Sequence, residues 1–209
     1  MTSTGTGGFD AIVLAGGRAS RLGGTPKPGL RLRGTRLLDL ALDAVHDAAA
    51  IAVVGPQDLA VPPASRVVVT REDPPFGGPV AGIDAGLAAL DRPGAPGTVL
   101  LLAVDIPGAA PVITRLVDTL RASDTQTDGV ALERCGRLQW LVSALRRERL
   151  ATAIETLRAQ AGSVHDQPVR RLVANLRLHG LPDDVGLSDD VDTWDDLSRL
   201  EAAARREQR

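Results

Sequence analysis

Apolar positions follow two alternating rhythms along this chain. Short, nearly continuous runs occur at Phe9 to Leu14, Ile51 to Val54, Val67 to Val69, Thr98 to Val104 and Gly129 to Leu132. Gly, Pro and Asp bound several of them, as strand ends require. Between the runs, apolar residues recur at helical spacing. Leu38, Ala41, Leu42 and Val45 form one such stripe, Val112, Leu116 and Leu120 another, and Leu150, Ile154 and Leu157 a third. Gly78-Pro79 opens a further helix running to Leu90, with proline suited to the first helical position. A last helix begins near Thr193, with Asp195 and Asp196 in its first turn, where negative charge suits the helix dipole. Strands that are apolar throughout, rather than alternating, are buried on both faces. The pattern therefore predicts an α/β fold with a single doubly wound, mostly parallel sheet and helices on both faces. Right-handed crossovers then gather the strand C-termini, and a ligand site with them, at one edge. The polar opening of residues 1–8 reads as a disordered leader and residues 9–205 as one domain.

Composition removes several function classes. The 209 residues are 44% hydrophobic and carry a formal charge of -2, without the basic excess that general nucleic-acid binding requires. Two Trp, two Phe and no Tyr leave little for a base-stacking platform. The longest aliphatic run, Val99 to Val104, is far short of the ~20 residues of a membrane span. A lone cysteine, Cys135, forms no internal disulfide, which suits a reducing, cytoplasmic setting. His46, His165 and His179 show no metal-ligand spacing, and no G-x-S-x-G is present, so covalent hydrolase chemistry is not indicated.

One count changes the picture. Of 24 basic residues, 23 are arginine and one, Lys27, is lysine. Lys27 closes a glycine-rich stretch, Leu14-Ala15-Gly16-Gly17 through Arg21-Leu22-Gly23-Gly24 to Lys27, that follows directly on the first strand. Glycines let backbone N–H groups approach phosphate oxygens, and Arg21 and Lys27 supply matching charge. The stretch fits neither G-x-x-x-x-G-K-S/T nor G-x-G-x-x-G, and a basic surface turn is the plainer alternative. Asp105 stands at the end of the strongest strand, where it would hold magnesium or cap the next turn. Asp192, just ahead of the last helix, reads first as an N-cap, and Asp73 as a turn residue.

The segment L-A-G-G-x-x-x-R-L-G-G-x-x-K, Leu14 to Lys27, resembles the signature of nucleotidyltransferases similar to the molybdenum-cofactor guanylyltransferase. Further segments agree in order. Glu72-Asp73 followed by Gly78-Pro79-Val80-Ala81-Gly82-Ile83 resembles the family's acidic residue and its G-P-L-A-G-I block. Val104-Asp105-Ile106-Pro107 resembles its C-D-x-P, and Asp190 to Leu197 its closing N-V-N-T-P-E-D-L. Gly136 to Gln139 is similar to a segment that faces the acceptor. The chain departs from the pattern with Asp190 and Asp192 in place of asparagines, Trp194 in place of proline, and Gly55 roughly where some members carry asparagine. Aspartates at the closing motif also occur in related cytidylyltransferases.

The resemblance implies a Rossmann-like nucleotidyltransferase that uses magnesium to pass GMP from GTP to the terminal phosphate of molybdopterin, releasing pyrophosphate. It implies nucleotide contacts from Leu14, Ala15, Gly16, Gly17, Lys27, Asp73, Gly78 and Asp105. Arg21, Lys27 and Asp105 would serve the reaction, and Asp105 and Asp192 the metal, with Asp190 the weaker candidate. CTP is the alternative nucleotide, and another small phosphorylated compound the alternative acceptor. A non-catalytic carrier of the pterin cofactor is the alternative from another class. Transient contact with molybdoenzymes would follow from such a product.

Overall fold

The computed structural model describes residues 8–17 and 22–206. The leader expected at 1–8 lies almost wholly outside them, and so does Arg21. Seven strands form one sheet: β1 (Asp10–Leu14), β4 (Ile51–Val54), β5 (Val67–Thr70), β6 (Thr98–Ala103), β7 (Gly129–Arg134), β8 (Arg137–Arg146) and β9 (Leu178–Pro182). Their order across it is β5-β4-β1-β6-β8-β7-β9. A two-residue turn, Arg33-Gly34, joins a small separate hairpin of β2 (Arg31–Leu32) and β3 (Thr35–Arg36); both turn residues have positive φ.

The strands from β5 to β6 are mutually parallel, and β7 and β9 pair parallel as well. The exception is β8, antiparallel to both β6 and β7. Side-chain alternation divides the core in two. Ala11, Val13, Ile51, Val53, Leu100 and Leu102 face α1 (Leu37–Ala44) and α3 (Ile113–Ala122). Ile12, Leu14, Ala52, Val54, Val99 and Leu101 face α2 (Gly78–Ala89), α4 (Arg147–Ala161) and the short α5 (Val169–Val173). The last helix, α6 (Trp194–Arg206), sets Leu197 and Leu200 against the first layer. Among the described residues, no helix is long and apolar enough to cross a membrane.

Two features fix the two ends of the parallel strands. Helix α2 lies very close to β1: a Cβ at Gly86 would meet Ile12 Cγ2 at 2.6 Å. That approach carries its first residues, Gly78 and Pro79, to the C-terminal ends of the strands. At the opposite edge, Asp10 is fully buried, paired through both oxygens with Arg92 at 2.7 Å and also bonded to Arg147. Burial lowers the Arg147 pKa against the pull of Asp10. The triad ties β1, the α2–β6 loop and the β8–α4 junction together.

Candidate active site

β1 ends at Leu14, whose carbonyl accepts from the Val104 N–H at 3.0 Å, while the Ala15 N–H donates to Val54 O at 2.8 Å. These bonds align the ends of β1, β4 and β6. The chain then leaves through Gly16 and Gly17, the latter at φ 132°, a conformation open chiefly to glycine. Leu22 is buried in the core, and a short 3-10 turn follows over Lys27–Gly29. Buried Pro28 and Leu30 hold this turn and direct the Lys27 side chain back across the strand ends.

Lys27 Nζ donates to Asp105 Oδ2 at 2.6 Å and to Asp192 Oδ1 at 2.5 Å. Burial pulls the Lys27 pKa down, but the bonds to Asp105 and Asp192 outweigh it, so the ammonium stays above its ordinary value. Asp105 sits just past β6, and its carbonyl accepts from the Val191 N–H at 2.9 Å. Val191 is fully buried, which pins the Asp190–Asp192 segment beside Asp105. The N-cap role anticipated for Asp192 belongs to its neighbour. Thr193 Oγ1 accepts from the Asp196 N–H, and Asp196 Oδ2 accepts from the Thr193 N–H, a reciprocal cap that leaves Asp192 to the lysine. Burial, then the nearby charges of Asp192 and Asp105, raise the pKa of Asp190.

A cavity of about 450 Å³ opens on this cluster. Leu14, Gly16, Gly17, Gly78 and Asp105 line it, five of the residues expected to contact nucleotide. Ala15 is buried behind it, and Lys27 reaches it through Asp105. Asp73 is not in its wall; the adjacent Glu72 is, with Oε1 accepting from the Phe76 N–H at 2.9 Å. Phe76, half exposed under the Arg71 guanidinium, and Asp166 also line it. No sequence signal marked either residue. A second cavity, of about 900 Å³, runs along Gly136 to Trp140 and includes Asp190. The two share Pro79, Ala103, Asp105 and Leu141. Asp105 thus stands where the cavities meet.

Two carboxylates converging on one cation make a hard-oxygen donor pair. Magnesium commonly takes one or two carboxylates and completes its shell with water and phosphate. The Lys27 ammonium marks the place where positive charge is accommodated, so Asp105 and Asp192 fit such an ion. Among the described residues, no three His, Cys, Asp or Glu side chains gather into a metal cluster.

Residues 11–180 match the family of MobA-like NTP transferase domains. A molybdenum cofactor guanylyltransferase of Bradyrhizobium sp. (strain ORS 278) is 34% identical over 140 residues. That alignment spans 60% of this chain and 61% of that protein. Among solved structures, the molybdopterin-guanine dinucleotide biosynthesis protein A of Archaeoglobus fulgidus superposes with a TM-score of 0.71 at 19% identity, covering 94% of this chain and 99% of that one. The Rv0371c protein of Mycobacterium tuberculosis H37Rv does so at 0.71 and 26%, covering 97% and 100%. A 2-C-methyl-D-erythritol 4-phosphate cytidylyltransferase of Thermus thermophilus shares the fold at 0.66 and 18%, covering 93% and 98%.

Proposed function

The chain belongs to the MobA-like NTP transferase family, and we propose that it transfers GMP from GTP to the terminal phosphate of a molybdopterin-type acceptor. One observation carries the reading: two cavities meet at Asp105, beside a glycine loop and the family's lysine. GTP would occupy the smaller cavity and the acceptor the larger. An oxygen of the acceptor phosphate attacks the α-phosphorus, the bond from that phosphorus to the α–β bridging oxygen breaks, and pyrophosphate leaves. The nucleophile is already anionic, so positioning and charge neutralisation matter more than a strong base.

The backbone of Gly16 and Gly17 would cradle phosphates. Lys27, with Arg21, would offset charge growing on the leaving pyrophosphate, its ammonium passing from Asp105 and Asp192 to the phosphate oxygens. Magnesium held by Asp105 and Asp192 would neutralise phosphate charge and make the α-phosphorus more electrophilic. Asp190 lines the larger cavity close to Asp105, on the path along which the acceptor phosphate would approach. We place the reaction in the cytoplasm, with product passing to molybdoenzymes by transient contact.

Cytidylyl transfer is the second reading, favoured by Asp190 and Asp192 standing where guanylyltransferases often carry asparagines. Parallel incubations with α-labelled GTP and CTP, magnesium and purified molybdenum cofactor separate the two. Label should enter the cofactor from GTP; preferential transfer from CTP overturns the guanylyl reading.

A further inference from the structure

The smaller cavity has a direction. Asp105 follows β6, the glycine loop follows β1, Val54 ends β4, and Glu72 and Phe76 follow β5. With the strand order β5-β4-β1-β6, the cavity spans three strand spacings, roughly 14 Å of sheet edge. Cationic and metal-competent groups lie at the β6 end, so a nucleotide that places phosphates there extends its base toward the β5–α2 turn. Leu14, Val54 and Gly82 give that stretch an apolar wall suited to the faces of a flat ring.

Two carboxylates line the β5 end. Glu72 is engaged by its own turn through the Phe76 N–H. Asp166 is fixed in space by its backbone: its N–H donates to Gly77 O at 2.7 Å, and buried Val164 and Val169 anchor the loop on both sides. The preceding His165 packs so closely on Gly77 that a Cβ there would lie 2.2 Å from its Nδ1. The loop is therefore fitted to the α2 entry turn. Among the described residues, no donor or cation engages the Asp166 carboxylate, which is exposed along the cavity.

We propose that Asp166 selects the base: its carboxylate accepts the paired N1–H and N2–H donors of guanine. This rests on the guanylyl reading and names the residue that would enforce it. A carboxylate offers acceptors only. Guanine alone among the common bases presents two adjacent donors on its pairing edge. Cytosine and adenine set a ring-nitrogen acceptor beside their amino group, and uracil flanks its one donor with carbonyls, so each would bring an acceptor against Asp166.

The test measures binding of GTP, inosine triphosphate, CTP and xanthosine triphosphate to the full chain and to Asp166→Asn by calorimetry. Asparagine tolerates the positive φ of 57° at this position. The native protein should bind GTP at least about tenfold more tightly than inosine triphosphate, which lacks the N2 amino group. Asp166→Asn should lose roughly 10- to 100-fold in GTP affinity and gain affinity for xanthosine triphosphate, whose 2-carbonyl can accept from the new amide. A merely structural role would weaken all nucleotides alike and yield no gain. If the native protein prefers GTP and Asp166→Asn keeps that preference unchanged, the Asp166 assignment falls and the guanylyl reading stands. A native preference for CTP overturns both.

Discussion

Lys27 answers two carboxylates that arrive from segments far apart in the chain, Asp105 after β6 and Asp192 before α6. A compact ammonium can leave both and turn to a phosphate, whereas the planar guanidinium of arginine would be held in place by such a pair. Lys27→Arg should therefore retain the fold and lower turnover by roughly 10- to 100-fold, the scale of a misplaced charge, in steady-state assays with GTP. Unchanged turnover would make the ammonium incidental. Asp105→Ala should lower magnesium-dependent turnover by about 10²–10³-fold, with native circular dichroism retained. Both residues were legible in the sequence, because a strand end and a glycine loop place side chains at a predictable edge. Asp192 was only half legible: the cap it was expected to supply is made by Thr193 and Asp196. Asp166 carried no signal, since its place depends on a backbone bond to Gly77, far earlier in the chain.

At the scale of elements, continuous apolar runs revealed β1, β4 and β6, whose residues, the first of β6 excepted, are buried on both faces. The same criterion missed β8, where Arg137, Gln139 and Ser143 interrupt the run. It also missed β9, whose His179, Gly180 and Pro182 resist strand prediction and pair because β7 offers a partner. The turn after β9 is built on buried Asp183. It accepts from the N–H groups of Gly186, Leu187 and Ser188 and from the Ser188 hydroxyl. Burial alone would raise its pKa, but these donors hold the carboxyl below the ordinary value of 3.8. A group so depressed stabilises the fold at pH above 3.8 and loses that contribution as pH falls through its lowered pKa. Asp183→Asn presents an amide to a set of donors and should cost about 2 kcal/mol or more at neutral pH. It should also flatten the acid limb of stability. Chemical denaturation at pH 7 and below pH 4 checks both, and an unaltered acid limb would assign that limb to other carboxylates.

At the scale of the molecule, the alternation of strands and helices made the sheet readable, and with it the edge at which the strand C-termini and the two cavities gather. The antiparallel insertion of β8 between β6 and β7 was not readable, because strand order is decided by long-range packing. That insertion has a functional consequence: it presents Gly136 to Trp140 beside Asp105 and so forms a wall of the larger cavity. The molecule thus places two compartments on either side of one carboxylate, an arrangement suited to bringing an anionic nucleophile against an activated phosphorus. The most direct test is mass spectrometry of the acceptor after incubation of the purified protein with molybdopterin or its metal-loaded form, GTP and magnesium. Guanylyl transfer leaves an acceptor heavier by one GMP unit, with one pyrophosphate released for each. An acceptor of unchanged mass, or one that gains a nucleotide only from CTP, would contradict it.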